Sequence, residues 1–202
     1  MIVGQLVRLR PYEREDVKTE HHWRRSPEYL GGLAQTSLAA MEKEFEQLLA
    51  HPRRVKFVVE TADGRSIGVV ENLNLSWRQR QAQMSINIWE PKNRGQGYGT
   101  EATLLFLYYL FGPMNLHRVW IEGPAGNQAG IASFKRCGFR VEGTLREVYS
   151  PHEMACVDYV LMAVLRREFV EVWQQYKQEC ERTDLPDISL EGTVVGMPAP
   201  VA

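Results

Sequence analysis

A loop with three alternating glycines occupies the middle of this chain: Arg94-Gly95-Gln96-Gly97-Tyr98-Gly99-Thr100. Residues 82–90 before it alternate polar and apolar side chains, which predicts a strand with two unlike faces. The segment from about Thr100 to Phe111 is strongly apolar and predicts a buried helix that Gly112 and Pro113 end. A strand, a loop of alternating glycines and a buried helix in succession indicate an α/β chain with a binding site at the turn.

The loop suits a bound phosphate. Its three glycines carry no Cβ, so the backbone can approach a ligand closely. Free N–H groups at the start of the following helix, with roughly half a positive charge from the helix dipole, attract anions. A P-loop needs a Lys after its last glycine, and a dinucleotide-binding fingerprint needs the spacing GxGxxG, so neither motif fits. A glycine-rich turn without a ligand is the alternative.

Hydrophobic periodicity elsewhere predicts a mixed sheet flanked by helices. Ser37 can cap a helix, and Asp63-Gly64 marks a hairpin turn. The predicted apolar face of the Ser37 helix comprises Leu38, Met41, Phe45, Leu48 and Leu49. The predicted strands are residues 5–10, 55–61, 66–75, 82–90, 116–122, 139–149 and 156–165. The predicted helices are residues 13–25, 37–51, 100–111, 129–136 and 166–182.

Composition excludes several classes of protein. The formal net charge of −1 gives no general attraction for nucleic acid or an anionic membrane, and no segment is apolar for long enough to span a bilayer. Cys137, Cys156 and Cys180 lie far apart and form no CxxC pair, so neither a disulfide framework nor a metal site is expected. We therefore expect a cytoplasmic protein with reduced thiols and without nucleic-acid or membrane partners.

The length of 202 residues fits one domain with an appendage. We expect residues 1–168 to form that domain. Residues 169–202 begin as a charged, helix-prone segment and continue with Pro186, Pro198 and Pro200, so they predict a helical extension and an irregular, loosely attached tail. Contacts within a homodimer are one role for this extension.

The glycine loop matches [RQ]xxGx[GA], the acetyl-CoA signature of the GNAT superfamily of N-acetyltransferases. A second feature of that family follows, because Asn127 precedes a short helical segment that ends in Gly138-Phe139. Residues 6–11 and 141–146 resemble the branch that holds the ribosomal-protein and spermidine acetyltransferases. The resemblance spans residues 5–168. It implies an α/β (α+β) GNAT fold, with a mixed, mostly antiparallel central sheet that splays at the acetyl-CoA site and is flanked by helices.

The resemblance also implies where acetyl-CoA, or another acyl-CoA, would bind. Backbone groups at the end of the strand would pair with the pantetheine arm, and the glycine loop would hold the pyrophosphate. Asn127 would contact the pantetheine, and Phe134 would lie beside the thioester sulfur. The implied cofactor-binding residues are Ile88, Trp89, Glu90, Arg94, Gly95, Gln96, Gly97, Tyr98, Gly99, Thr100, Asn127 and Phe134.

Acetyl transfer to an amine needs a neutral nucleophile, although an alkylammonium has a pKa of about 10.4. It also needs a donor for the oxygen that gains negative charge, which in this family is a backbone N–H of the strand before the loop. A thiol pKa of about 8.5 makes the thiolate a tolerable leaving group, so an acid helps without being indispensable. Relatives often carry a Tyr acid where this chain has Phe134 and a Glu base near Gln83, so both usual groups are absent here.

Three other residues are candidate catalytic groups. Glu71 follows the apolar run Ile67-Gly68-Val69-Val70 and could act as a base through water; an edge or solvent-facing carboxylate is the alternative. Ser133 could act in the short helix, or its hydroxyl could bond to the backbone. Tyr159 could reach the sulfur side or could pack in the core. A covalent role for Cys137 is less expected than a packed thiol, because no His neighbours it in sequence.

The acceptor is the part of the reaction that the sequence describes least. In this family residues 13–36 and the final hairpin line the acceptor cleft, and here the first region contains His21, His22, Trp23, Arg24, Arg25 and Tyr29. A small-molecule amine, an antibiotic-like amine and a peptide or protein N-terminus all stay open. The function expected is N-acetylation by direct attack on the thioester. A catalytically impaired acyl-CoA-binding module and an enzyme for longer acyl chains or hydroxyl acceptors are the alternatives.

Overall fold

The computed structural model describes residues 1–26, 37–51, 54–150, 155–181 and 184–188, except for the side chain of Tyr149. Tyr29, residues 151–154 in the predicted final hairpin, and residues 189–202 lie outside the described residues. The strands are β1 (Ile2–Val3), β2 (Val7–Pro11), β3 (Lys56–Thr61), β4 (Ser66–Ser76), β5 (Gln81–Ile88), β6 (Arg118–Pro124), β7 (Arg140–Ser150) and β8 (Ala155–Leu165). The helices are α1 (Asp16–Arg24), α2 (Leu38–Ala50), α3 (Tyr98–Phe111), α4 (Gln128–Arg136) and α5 (Arg166–Glu179), with a short 3-10 helix at Pro91–Asn93.

The strands form one sheet in the order β1-β2-β3-β4-β5-β6-β8-β7. The pairings are antiparallel apart from that of β5 with β6, which is parallel and covers only residues 81–83 against 118–120. Beyond those residues the two strands diverge, and we call this gap between the C-terminal halves of β5 and β6 the splay. The predicted mixed, mostly antiparallel sheet with a splay is confirmed.

Helices cover both faces of the sheet. On one face a large apolar cluster joins α3 and α5 to the strands, and α3 is buried along most of its length. On the other face α1 and α2 cover a smaller cluster that includes Val58, Val69 and Trp89. Because side chains alternate along a strand, neighbours such as Val58 and Val59 enter opposite clusters.

Sequence patterns predict the helices and strands of this chain more accurately than they predict where each one ends or how wide its apolar face is. Helix α2 begins after Ser37, whose side chain accepts the N–H of Ala40 at 3.2 Å, as predicted. Leu49 was placed on its apolar face but is 64% exposed, because that face is narrower than the pattern indicated. Strand β5 ends at Ile88, two residues earlier than predicted, since Pro91 starts a 3-10 turn.

The packing shows no break at residue 168. Helix α5 buries Phe169, Trp173 and Tyr176 in the same cluster as α3. The start of the tail packs there too, because Leu185 and Ile188 are buried and the indole N–H of Trp173 donates to the carbonyl oxygen of Pro186 at 3.0 Å. Among the described residues, none of the helices combines the length and the hydropathy that a membrane span requires.

Candidate active site

The glycine loop adopts the backbone that its composition requires. Gly95 and Gly97 have φ values of 74° and 86°, in the left-handed region that other residues disfavour. Gly97 is the N-cap of α3, so the first N–H groups of that helix have no carbonyl partner within it. A Cβ built on Gly95 would meet no atom within 4 Å, so the space beside the loop is open. An exposed helix N-terminus beside open space can receive a phosphate.

The splay exposes backbone groups of β5. The N–H of Trp89 donates to the carbonyl oxygen of Ile67 in β4 at 3.0 Å. Because strand groups alternate in direction, the N–H and C=O of Ile86 and Ile88 point the other way, towards the splay. Ile86 was not in the predicted set, although its position two residues before Ile88 was sufficient to include it.

Two predicted cofactor contacts take other roles. The guanidinium of Arg94 turns back onto β5, where it donates to the carbonyl oxygens of Ile88 at 3.1 Å and Trp89 at 2.8 Å. Both backbone groups of Trp89 are therefore occupied, and its side chain is 1% exposed in the cluster beneath α1 and α2. The prediction that the Trp89 backbone pairs with the pantetheine arm is therefore corrected. Arg94 braces the strand end rather than standing free at the mouth of the loop.

Other loop residues also have partners within the chain. The carbonyl of Glu90 accepts the N–H of Asn93 at 3.0 Å, and its carboxylate pairs with Lys92 at 2.7 Å. The amide of Gln96 donates to the carbonyl oxygen of Lys92. These contacts hold the turn that delivers the chain from β5 to the loop.

On the far side of the splay, β6, β8 and α4 enclose a crevice that contains two predicted residues. Phe134 lines it together with Asn127, Val160 and Met162. Asn127 is the N-cap of α4, and its Oδ1 accepts the N–H of Gly130 at 3.0 Å. Only the Nδ2 group of Asn127 is left to donate to a ligand. The structure thus brings these two residues to one wall.

The candidate base Glu71 lies on the opposite face of the sheet from α3. Glu71 pairs with Ser85 of β5. Because it lies two positions after Val69, its side chain shares the face that α1 and α2 cover. The carboxylate accepts from Nη2 of Arg54 at 2.9 Å, and its side chain is 14% exposed. It is therefore neither an edge residue nor freely solvated. The sequence held no signal for the Arg54 partner.

Ser133 and Tyr159 are not brought together. The hydroxyl of Ser133 lies 2.8 Å from that of Thr100, which joins α4 to the first turn of α3. This contact is a bond between side chains, not the predicted alternative of a bond to the backbone. Tyr159 is half-buried, and alternation along β8 places it on the opposite face from Val160 and Met162, away from Phe134. The structure therefore separates Tyr159 from the wall that carries Phe134.

Cys137 is a packed thiol. It is fully buried, and its Sγ donates to the carbonyl oxygen of Thr100 at 3.5 Å. Burial raises the pKa of this thiol to about 12, so the nucleophilic thiolate is scarce near neutral pH. This environment agrees with the expectation that Cys137 forms no acyl-enzyme.

The face of the sheet that α1 covers contains a cavity of about 360 Å³, whose lining includes Thr19 and Trp23 of α1, Ile67 of β4, and Trp89, Glu90, Lys92 and Asn93. Glu20, also in α1, is 1% exposed, and its carboxylate forms salt bridges with Nζ of Lys56 and Nη2 of Arg24, each at 2.8 Å. Burial alone would raise the pKa of Glu20, but these two cations hold it below its ordinary value. Sequence reasoning missed Glu20, although its i,i+4 spacing from Arg24 was a usable signal.

Comparison with known proteins is consistent with this geometry. A protein-family model described as an acetyltransferase (GNAT) domain matches residues 7–140. Spermidine N(1)-acetyltransferase of Escherichia coli (strain K12) is 29% identical over 149 residues, covering 69% of this chain and 75% of that protein. Alpha/beta-tubulin-N-acetyltransferase 9 of Mus musculus is 26% identical over 155 residues, covering 69% of this chain and 64% of that protein.

Solved structures agree. Spermidine N-acetyltransferase from Vibrio cholerae, in complex with CoA and spermine, has a TM-score of 0.75 and 25% identity, covering 82% of this chain and 99% of that chain. A chimera of the Vibrio cholerae protein has a TM-score of 0.76 at 25% identity, covering 82% of this chain and 98% of that chain.

Proposed function

Because the chain belongs to the GNAT acetyltransferase family, we propose that it transfers an acetyl group from acetyl-CoA to a primary amine at the splay. The observation that carries the proposal is the junction of the glycine loop with the splay. There the free end of α3 lies beside β5 groups that no strand among the described residues pairs on the β6 side. Acetyl-CoA supplies the acetyl thioester. The chain's residues bind it and manage the protons.

The described residues fit such a ligand. N–H groups at the start of α3 would receive the pyrophosphate, and Gly95 leaves the space beside the loop open because it carries no Cβ. The N–H and C=O of Ile86 and the N–H of Ile88 would extend the sheet by pairing with the pantetheine amides, as a strand edge does with a peptide, whereas the carbonyl oxygen of Ile88 already accepts Nε of Arg94. One of these N–H groups would also stabilise the oxygen that becomes negative during attack.

Glu71 is the group best placed to remove the proton from the attacking ammonium. It lies on the acceptor face, in the strand next to β5, and is mostly buried. Nη2 of Arg54 donates to one oxygen of this carboxylate at 2.9 Å, and the proton of the ammonium would reach the carboxylate through water.

Relatives often carry a Tyr acid at the position of Phe134, so this chain needs another group to return a proton to the sulfur. Phe134 cannot donate, so Ser133 or water would serve, with the Thr100 hydroxyl beside Ser133 completing a short relay. Because a thiolate is a weak base, it can leave with little help from an acid.

For the acceptor we favour a small-molecule amine. The relatives named above act on spermidine or tubulin by their names, and a structure of one holds spermine. The cavity beneath α1 lies on the face of the sheet that carries Glu71, and its volume suits a small ligand, although Glu71 does not line it. A peptide N-terminus is the second candidate acceptor.

The test is release of free CoA thiol from acetyl-CoA with a panel of polyamines, aminoglycosides, amino acids and N-terminal peptides. Turnover with one class of small amine is expected. Tight binding of acetyl-CoA without turnover on any amine would instead favour an impaired binding module, the reading that Phe134 and Gln83 support.

Glu71→Gln tests the base in the same assay. A general base contributes about a hundredfold or more, so kcat should fall by that factor near neutral pH. The deficit should shrink as the pH nears the alkylammonium pKa of about 10.4, where the amine loses its proton unaided. Glu142→Gln, at an exposed carboxylate of β7 paired with Arg118, is the matched control and should keep wild-type kinetics. Equal activity of both variants at every pH would remove Glu71 from the mechanism.

A further inference from the structure

Glu101 lies in the first turn of α3, directly after the glycine loop, and is 5% exposed. Its carboxylate accepts three consecutive backbone N–H groups of the N-terminal segment, those of Gln5 at 2.9 Å and of Leu6 and Val7 at 2.7 Å each. The hydroxyl of Tyr176 in α5 donates a fourth hydrogen bond at 2.8 Å. Charge-assisted bonds to three successive amides fix that segment against the helix.

The segment is shaped to receive this side chain. A Cβ on Gly4 would lie 2.6 Å from Oε2 of Glu101, so only glycine allows the approach. The N–H of Gly4 donates to the carbonyl oxygen of Val7 at 2.8 Å and closes a turn around the carboxylate. Four hydrogen bonds satisfy a buried charge that would otherwise be costly.

The fixed segment reaches the loop itself. Leu6 is close enough that a Cβ on Gly97 would lie 3.2 Å from its Cδ1. The carbonyl of Gly97 accepts the N–H of Glu101 at 3.0 Å. Gly97 is therefore next to Leu6 of the fixed segment and is hydrogen-bonded to the backbone of Glu101. Its orientation sets the direction of the first free N–H groups of α3.

Charge alone predicts the opposite role. A carboxylate in the first turn of an anion-binding helix repels a pyrophosphate, so removing it should tighten binding if charge dominates. If positioning dominates, removing it should weaken binding.

We infer that Glu101, held by Tyr176, is a positioning residue for acetyl-CoA, clamping the N-terminal segment so that the glycine loop keeps its phosphate-binding shape. The inference rests on the proposed function, since it concerns the same cofactor site. It also assigns a role to α5, which joins the cofactor helix through Tyr176.

The experiment measures Kd for CoA by calorimetry, KM and kcat with acetyl-CoA, and thermal stability, for Glu101→Gln and Tyr176→Phe. Loss of hydrogen bonds to a charged group should raise Kd and KM about tenfold in Glu101→Gln. The value of kcat at saturating acetyl-CoA should stay at the wild-type level, because the thioester end lies at β5. Tyr176→Phe keeps the carboxylate and should raise Kd in the same direction by a smaller factor.

Two controls separate positioning from general loss of stability. Tyr108→Phe removes a tyrosine hydroxyl from α3, the helix that carries Glu101, and should leave the Kd for CoA unchanged. Arg166→Met removes the buried guanidinium that donates to the carbonyl oxygens of Phe111 and Leu116 at the far end of α3. It should lower the melting temperature without changing Kd.

Unchanged or tighter CoA binding by Glu101→Gln overturns the inference, as does a Kd that rises equally in Arg166→Met. Should Glu101→Gln fail to fold, Tyr176→Phe decides alone, and an unchanged Kd there overturns it. If the wild-type protein binds no CoA, the proposed function itself fails, which is a distinct result.

Discussion

Alanine at Gly97 tests the cofactor loop, and alanine at Gly64 is its matched control. Gly97 has a φ of 86° and Gly64 has a φ of 87°, so both substitutions impose the same backbone strain. Gly64 lies in the β3–β4 hairpin, where an added Cβ would be 3.7 Å from the guanidinium of Arg8, an ordinary contact. The two variants therefore differ in their distance from the proposed phosphate and not in strain.

The expected stability loss follows from the left-handed backbone. It costs a residue with a Cβ about 1–2 kcal/mol relative to glycine. In a chain of this size each kcal/mol lowers the melting temperature by about 2–4 °C. Both variants should thus melt roughly 2–8 °C below the wild type. At Gly97 the neighbour 3.2 Å away is the end of the exposed Leu6 side chain, which can move aside and adds little.

The effect on cofactor binding should separate the two variants. A Cβ at the N-cap of α3 disfavours the left-handed backbone of Gly97, so the loop should shift and turn the first N–H groups of the helix away from the anion. Loss of one hydrogen bond to a charged group costs about 1.5–3 kcal/mol. Calorimetry should therefore show CoA binding about tenfold to a hundredfold weaker in Gly97→Ala and unchanged in Gly64→Ala. If both variants lose the same stability and both bind CoA as the wild type does, α3 does not hold the pyrophosphate.

Three further results are expected. Phe134→Tyr places a phenol in the crevice beside Asn127 and should raise kcat while KM for acetyl-CoA stays constant; a lower kcat would place the sulfur elsewhere. Cys137, whose burial raises its pKa to about 12, should resist an alkylating reagent in the folded protein at pH 7, and rapid labelling would contradict its burial. Glu20→Gln leaves buried Lys56 unpaired and should lower the free energy of unfolding by about 3–5 kcal/mol at neutral pH. The pKa of Glu20 is held below 4.5 in the folded state, so the stability that its carboxylate contributes is present above that pH and is lost as the pH falls further. The difference in free energy of unfolding between the variant and the wild type should therefore narrow in acid. A constant difference across that range would contradict the ion pair.

Local features could be predicted from sequence because their causes lie within a few residues. Glycines at positions of positive φ, the Ser37 cap and the two-faced pattern of β5 each act through neighbours in the chain. The helices predicted at residues 100–111 and 129–136 therefore agree closely with α3 and α4. The face on which Glu71 lies could not be predicted, since it depends on which strands flank β4 and which helices cover them.

The sequence suffices to predict that a glycine loop joins a half-buried strand to a buried helix, because backbone freedom and hydrophobic periodicity are local properties. The partners of the side chains around that loop depend on the tertiary structure. Arg94 binds the end of its own strand, Ser133 meets Thr100, and Glu101 holds a segment 94–96 residues away in sequence. Such contacts join groups whose separation along the chain carries no periodic signal, and the packing of the sheet and helices brings them within hydrogen-bonding distance.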